Sequence, residues 1–264
     1  NGSGVWSFDY TGTVLSDGSY LFSATATDAA ANTSVVSSGY SVQIDTGAPT
    51  TPGISTISTD TGVTDGNTSD QTLSFTGTAD AANTVELFID SVSIGTATSV
   101  LGSWTYDYTA TTLTEGSYSV TAVATDIVGN SSAHSSAFNL VVDVTAPAAP
   151  AVTAISMDTG TNNDQITSDA TLVFSGTAEA NATVEVFVDA ASIGTASADG
   201  SGNWSYDHTG TTLSAGSYSI TATAQDLAGN TSVASSALSV TVDTAAPAAP
   251  AVTTITDDTG TASD

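Results

Sequence analysis

The sequence predicts an all-β chain of tandem two-sheet sandwiches, each of seven strands, joined by short proline-containing linkers. Three observations carry that reading. Trp6, Trp104 and Trp204 recur at near-equal spacing, and Asp45, Asp143 and Asp243 recur in step with them. Each of these Asp residues precedes a proline stretch: TGAPTTP (46–52), VTAPAAP (144–150) and TAAPAAP (244–250). Between these marks, short alternating runs are broken by Gly, Asn, Asp and Ser clusters, and no helical period competes.

The repeat frame follows from these marks. Residues 1–45 read as the C-terminal part of a repeat (strands E to G), 46–143 and 144–243 as two full repeats, and 244–264 as the start of the next. In the second full repeat the strands fall at 151–157, 170–177, 183–189, 192–198, 203–208, 217–225 and 237–243. Seven strands in roughly 100 residues is the plan of an immunoglobulin-like sandwich. The linkers are semi-rigid, because Pro fixes φ and biases its predecessor toward extended backbone. The full repeats differ by two residues, one in 158–169 and one in the turn before Trp204, both loops that tolerate insertion. Each repeat also carries GSYLFSATATD, GSYSVTAVATD or GSYSITATAQD. Tyr20, Tyr118 and Tyr218 are thereby placed as the tyrosine corner at the start of strand F, each hydroxyl expected on nearby backbone. Trp104 alternates with Tyr106 and Tyr108 and is assigned to the core, in preference to a stacking platform for sugars. Head and tail together lack equivalents of 165–198, strands B, C and C′. The chain is therefore expected to be a window of a longer filament.

Charge sets the chemistry. The 264 residues include 27 Asp and Glu and no Lys or Arg, a formal net charge of −27. An average chain of this length holds about 30 basic residues. No acid here has a cationic side-chain partner in its own chain. Two carboxylates ~5 Å apart repel by about 3 kcal/mol at an effective dielectric of ~20. Converging acids therefore favour a hard divalent cation such as Ca²⁺, which takes 6–8 oxygen ligands. The same charge disfavours nucleic acid and anionic membrane surfaces. No apolar run is long enough to span a bilayer, and the absence of Cys removes disulfides and thiolate sites.

Strand alternation sorts the acids to the poles of each sandwich. The AB loop and the exit of strand G share the C-terminal pole. In the first full repeat these carry Asp60, Asp65, Asp70 and Asp143; in the second they carry Asp158, Asp164, Asp169 and Asp243. Asp45 is the exit residue of the part-repeat. The BC and FG loops share the N-terminal pole, with Asp80, Asp126 and Asn130 in the first and Glu179, Asp226 and Asn230 in the second. These fifteen residues are the candidate metal ligands, expected to meet where one repeat joins the next and to be closed there by Ca²⁺. The competing reading makes them plain turn residues, since Asp and Asn bond their own backbone. Asp90 and Asp189 are assigned to hairpins. Asp9, Asp107 and Asp207 are assigned to a solvated strand face.

The strand-exit Asp, the A-P-x-x-P linker, the acid-rich AB loop, G-T-A-[DE]-A and D-x-x-G-N-[ST]-S together resemble the bacterial Ig-like repeats of giant Ca²⁺-dependent surface adhesins, of the biofilm-associated and repeats-in-toxin type. The resemblance covers essentially the whole chain. It implies a non-enzymatic extender on the bacterial cell surface, outside the cell, whose partners are calcium and neighbouring repeats. One departure is Ala31, which stands where the other repeats have Gly129 and Gly229. Rival functions are a glycan- or host-surface-binding adhesion module, which wants exposed aromatics in a groove, and a self-assembling filament or S-layer-like protein. Catalysis finds little chemistry. His134 and His208 belong to no repeated position, and without Cys, Lys or Arg most nucleophile and oxyanion designs are unavailable. A carboxylate pair of the glycosidase kind would have to recur in each near-identical repeat.

Overall fold

The computed structural model describes residues 4–253, and every regular element in them is a strand. β1 (Gly18–Phe22) and β2 (Tyr40–Ile44) form an antiparallel pair. The first full repeat contributes β3 (Gly53–Ile57), β4 (Asn67–Thr68), β5 (Ser74–Thr78), β6 (Thr84–Ile89), β7 (Val92–Thr98), β8 (Ser103–Asp107), β9 (Gly116–Thr125) and β10 (Phe138–Val142). The second gives the same set as β11 (Ala151–Ile155), β12 (Ile166–Thr167), β13 (Val173–Thr177), β14 (Thr183–Val188), β15 (Ala191–Ser197), β16 (Asn203–Asp207), β17 (Gly216–Gln225) and β18 (Leu238–Val242). Chain contacts divide these residues into two compact units, one holding positions up to 60 and 70–142, the other 61–69 and 143 onward.

Each full repeat pairs a three-stranded sheet with a five-stranded one. The orders are β3-β5-β8 with β4-β10-β9-β6-β7, and β11-β13-β16 with β12-β18-β17-β14-β15. All seven strands expected in the second repeat form. The sequence did not announce β12, which runs parallel to β18 through Ile166↔Thr241 and Thr167↔Val242. After β11 the chain leaves one sheet and reaches the edge of the other. Two residues are too few to show a period of two. Thr167 is buried there, with its hydroxyl on the Met157 carbonyl.

The part-repeat corrects one expectation. The sequence predicts strand E at the Trp6 segment, but the described residues there form no strand. In the full repeats strand E takes its ladder bonds from strand B, as in Gly77↔Trp104 and Gly176↔Trp204. Among the described residues no such strand pairs with the Trp6 segment, so its backbone groups lack a ladder. Trp6 is accordingly 72% exposed, against 2% for Trp104 and 3% for Trp204.

The core explains the shared motifs. Trp204 packs with Leu172, Phe174, Val184, Val186, Ile220 and Val240 between the sheets, and Trp104 sits in the matching set. Each such side chain contributes roughly 1.5–3 kcal/mol on burial. The Gly of G-T-A-[DE]-A lies beneath the Trp ring. A Cβ on Gly176 would collide with the Ala151 carbonyl oxygen and crowd the Trp204 ring, and Gly77 meets Gly53 and Trp104 in the same way. Only hydrogen at that position lets strand A and the indole both approach strand B. The tyrosine corner forms three times: Tyr20 donates to the Ser16 carbonyl at 2.8 Å, Tyr118 to Thr114 at 2.7 Å and Tyr218 to Ser214 at 2.8 Å.

Overpacking at this site costs about 1–3 kcal/mol. Gly176→Ala is expected to lower the urea midpoint of one of two unfolding transitions and leave the other in place. Tyr218→Phe removes one hydrogen bond, worth about 1 kcal/mol, and should shift the same transition by less.

Candidate functional site

The candidate ligands fall into local groups set by the loops that carry them. In the AB loop of the first repeat, Asp65 accepts the Asn67 N–H at 2.9 Å, and Asp70 accepts both the N–H and the hydroxyl of Thr72 at 2.9 Å. The second repeat copies this: Asp164 accepts the Ile166 N–H at 3.0 Å, and Asp169 accepts the Thr171 N–H and hydroxyl at 2.8 Å. Asp65 and Asp164 are thus structural equivalents despite the differing loop lengths. Asp60 is half-buried in the same loop. At the strand G exits, Asp45, Asp143 and Asp243 accept the N–H two residues on, from Gly47 at 3.0 Å, Thr145 at 2.9 Å and Ala245 at 2.9 Å. These are Asx turns, and in each the partnered atom is Oδ1. An ionised carboxylate has two acceptor oxygens and about four lone-pair sites, so a turn role leaves capacity for a cation.

The second AB loop contains a less balanced arrangement. Asp158 Oδ2 accepts the Gln165 N–H at 3.2 Å. Asp158 Oδ1 and Gln165 Oε1 are both buried with no hydrogen-bond donor. Gln165 also holds a left-handed backbone, φ 60°, where the first repeat has Gly66 at φ 88°. Two orphaned acceptor oxygens beside a strained non-glycine residue are costly to a fold unless something cationic or donating meets them. Gln165 escaped the sequence reading because it is uncharged and its counterpart is glycine.

At the other pole the FG loop is closed by its own Asp. Asp126 Oδ1 accepts the N–H groups of Val128, Gly129 and Asn130, and Oδ2 accepts Asn130 Nδ2 at 2.8 Å. Asp226 accepts the Asn230 N–H and Nδ2, each at 2.9 Å. The same carboxamide nitrogens reach the strand G exits: Asn130 Nδ2 lies 3.1 Å from the Asp45 carbonyl, and Asn230 Nδ2 2.8 Å from the Asp143 carbonyl. Asp226, Asn230 and Asp143 are therefore brought together, as are Asp126, Asn130 and Asp45. In the BC loop, Asp80 Oδ2 accepts the Thr50 N–H at 2.9 Å and hydroxyl at 2.8 Å. Its counterpart Glu179 is exposed, and the linker of its repeat has Ala148 where the first has Thr50. The acids alone do not make a cage. Among the described residues, no group of three or more His, Cys, Asp or Glu side chains lies close enough to hold a metal.

Hydrogen bonds set the acidities. The Thr50 N–H, then its hydroxyl, hold Asp80 below the ordinary value of 3.8 against the effect of burial. At Asp126 burial opposes ionisation, but the Asn130 side chain and the backbone N–H groups outweigh it. Burial likewise opposes ionisation of Asp70, and the donors of Thr72 and Thr59 prevail. The residues set aside in the full repeats behave as assigned, whereas Asp9 lies on no strand. Asp90 accepts the Ser119 N–H from the β6–β7 hairpin at φ 49°, and Asp107 is exposed with Thr109 as its donor. His208 packs on Phe174 and Tyr206, and His134 on Phe88.

A folded-state pKa below the unfolded one contributes stability that is present above the unfolded value and lost as pH falls through the folded one. The Thr50–Asp80 and Asn130–Asp126 bonds are thus expected to be unchanged from pH 7 to 5. They should release only below about 3.8, which amide shifts of Thr50 and Asn130 in a pH titration will report.

The family model described as a bacterial Ig-like domain matches residues 49–144 and again 145–244. No curated protein matches the chain. Among solved structures, the tetra-tandem repeat in the extending region of a large adhesion protein is 24% identical with a TM-score of 0.32, covering 87% of this chain and 58% of that one. A structure from a 1.5-MDa bacterial ice-binding adhesin is 22% identical with a TM-score of 0.34, covering 83% and 71%. The fibronectin(III)-like modules of Clostridium thermocellum CbhA are 16% identical with a TM-score of 0.38, covering 71% and 93%.

Proposed function

Because the chain belongs to the bacterial Ig-like domain family, we propose that it is a non-enzymatic extender segment of a cell-surface adhesin or filament. In this reading it works outside the cell and is stiffened by calcium where successive repeats join. The observation that carries the calcium is the pair of buried, donorless oxygens on Asp158 and Gln165. Both are hard oxygen acceptors of the kind Ca²⁺ takes, and the chain has no Lys or Arg to meet them. A carboxylate trio is not required, since Ca²⁺ sites routinely mix carboxylate, carboxamide, backbone carbonyl and water.

The residues that would hold the ion at this pole are Asp158 and Gln165; Asp164, Asp169 and Asp243 lie on the same loop and strand exit but do not gather with Asp158 into one carboxylate cage. Asp60, Asp65, Asp70 and Asp143 are the counterparts by sequence position one repeat earlier. Asp80, Asp126 and Asn130, and Glu179, Asp226 and Asn230, are the set from the opposite poles. Calcium supplies charge neutralisation there; the chain supplies loops already folded by their Asx turns. The full repeats also offer no Trp platform for a sugar, since Trp104 and Trp204 are buried, which favours a spacer over a glycan module.

Calorimetric titration is expected to give Ca²⁺ dissociation constants in the extracellular range, ~10⁻⁴–10⁻³ M. Asp158→Ala and Gln165→Ala should each remove or weaken one site without changing the β-signal in circular dichroism. Added EDTA is expected to shorten the maximum dimension in small-angle scattering, and Asp143→Ala to reproduce part of that change with calcium present. A scattering curve indifferent to EDTA would sink the stiffening role.

A further inference from the structure

The Asn of the D-x-x-G-N motif has a job that no metal ligand performs. We propose that Asn130 and Asn230 are metal-independent clips, each fastening the exit of strand G onto the FG loop of the repeat that follows. Each carboxamide nitrogen has two hydrogens to give, and both are used. Asn130 Nδ2 donates to Asp126 Oδ2 at 2.8 Å and to the Asp45 carbonyl at 3.1 Å. Asn230 Nδ2 donates to Asp226 Oδ2 at 2.9 Å and to the Asp143 carbonyl at 2.8 Å. The partners lie 85 and 87 residues away in sequence, so these bonds join distant parts of the chain. Each clip lies inside one compact unit.

The geometry fixes which end of the carboxamide faces inward. Both acceptors are oxygens, so the flipped orientation would oppose oxygen to oxygen twice. A cation ligand would present Oδ1 instead, which leaves the donor role separate from any calcium. The bond to the Asp carboxylate is charge-assisted and holds the side chain in place. The Asp itself is anchored by the N–H of the same Asn, Asp126 at 2.9 Å and Asp226 at 2.9 Å. The closed loop therefore presents a preset donor to the linker. This chemistry also explains why the position is Asn and not Asp among so many acids. A carboxylate there would sit at hydrogen-bond distance from another carboxylate, with no donor between them. The part-repeat keeps the first half of the device, Asn32 Nδ2 to Asp28 Oδ2 at 2.9 Å.

The test is run in EDTA on the full chain, so it does not depend on whether calcium binds. Asn230→Asp keeps size and oxygen ligands but deletes the donor; Asn230→Ala deletes both without adding charge. Heteronuclear NOE values for residues 144–148 are expected to match the flanking strands in the wild type. In both variants they should fall, while residues 46–49, held by Asn130, stay ordered as an internal control. Dispersed amide signals from β13–β18 confirm that the variants fold. Mobile 144–148 in the wild type without metal would overturn the clip. So would order that persists in Asn230→Ala, because the loosening by Asp would then be charge repulsion alone.

Discussion

With 27 carboxylates and no lysine or arginine, this chain must draw the partners of its acids from backbone amides, hydroxyls and carboxamides. That constraint shapes its loops. Asp45, Asp65, Asp143, Asp164 and Asp243 each take the N–H two residues on. Asp70 and Asp169 add a threonine hydroxyl, and Asp126 gathers three backbone N–H groups and a carboxamide. The abundance of Thr and Asn near these acids is thereby a supply of donors. It also ties the charge to the fold, since loops closed by carboxylates lose their closure when the acids are protonated. A surface ion pair between exposed side chains contributes little in any case, so the chain forfeits little stability by having none.

The loops can specialise because the sandwich beneath them is settled by uncharged contacts. Trp over Gly, the corner tyrosine and the alternating apolar strands recur in both full repeats with the same partners. Where the repeats differ inside the sandwich, shape is kept. His208 replaces Tyr108 and lies 6.0 Å from Phe174, much as Tyr108 lies 6.4 Å from Phe75. The polar loops can then vary by a residue without disturbing the sheets, as 158–169 does.

The proposed division of labour follows from this. Turn-forming acids fold each pole, the Asn carboxamide fastens the incoming linker, and the remaining oxygen valence is left for a cation. A carboxylate can serve a turn and a metal at once because its two oxygens are separable, and Asp158 displays that split: one oxygen on the Gln165 N–H, the other buried without a donor. The two readings of these acids, turn residue or ligand, are therefore compatible at the same side chain.

Much of the fold was legible in the chain alone. Alternation, turn clusters and the recurring Trp and Tyr located seven of the eight strands of a repeat, the inward indole and the corner hydroxyl, because these depend on periodicity and short-range spacing. The fifteen candidate residues, thirteen acids and two asparagines, were legible as polar loop residues for the same reason. Four things were decided only in three dimensions. β12 depends on an edge that β18 supplies. The Trp6 segment forms no strand because none of the described residues offers it a strand to pair with, although its residues match those of β8 and β16. The donor role of Asn130 and Asn230 and the unmet oxygen of Gln165 required knowing which atoms meet across some 85 residues or around a strained loop. Sequence determines what each residue offers; only the tertiary structure decides which of those offers are taken up, because a hydrogen bond or a sheet edge belongs to a pair of distant groups and to neither residue alone.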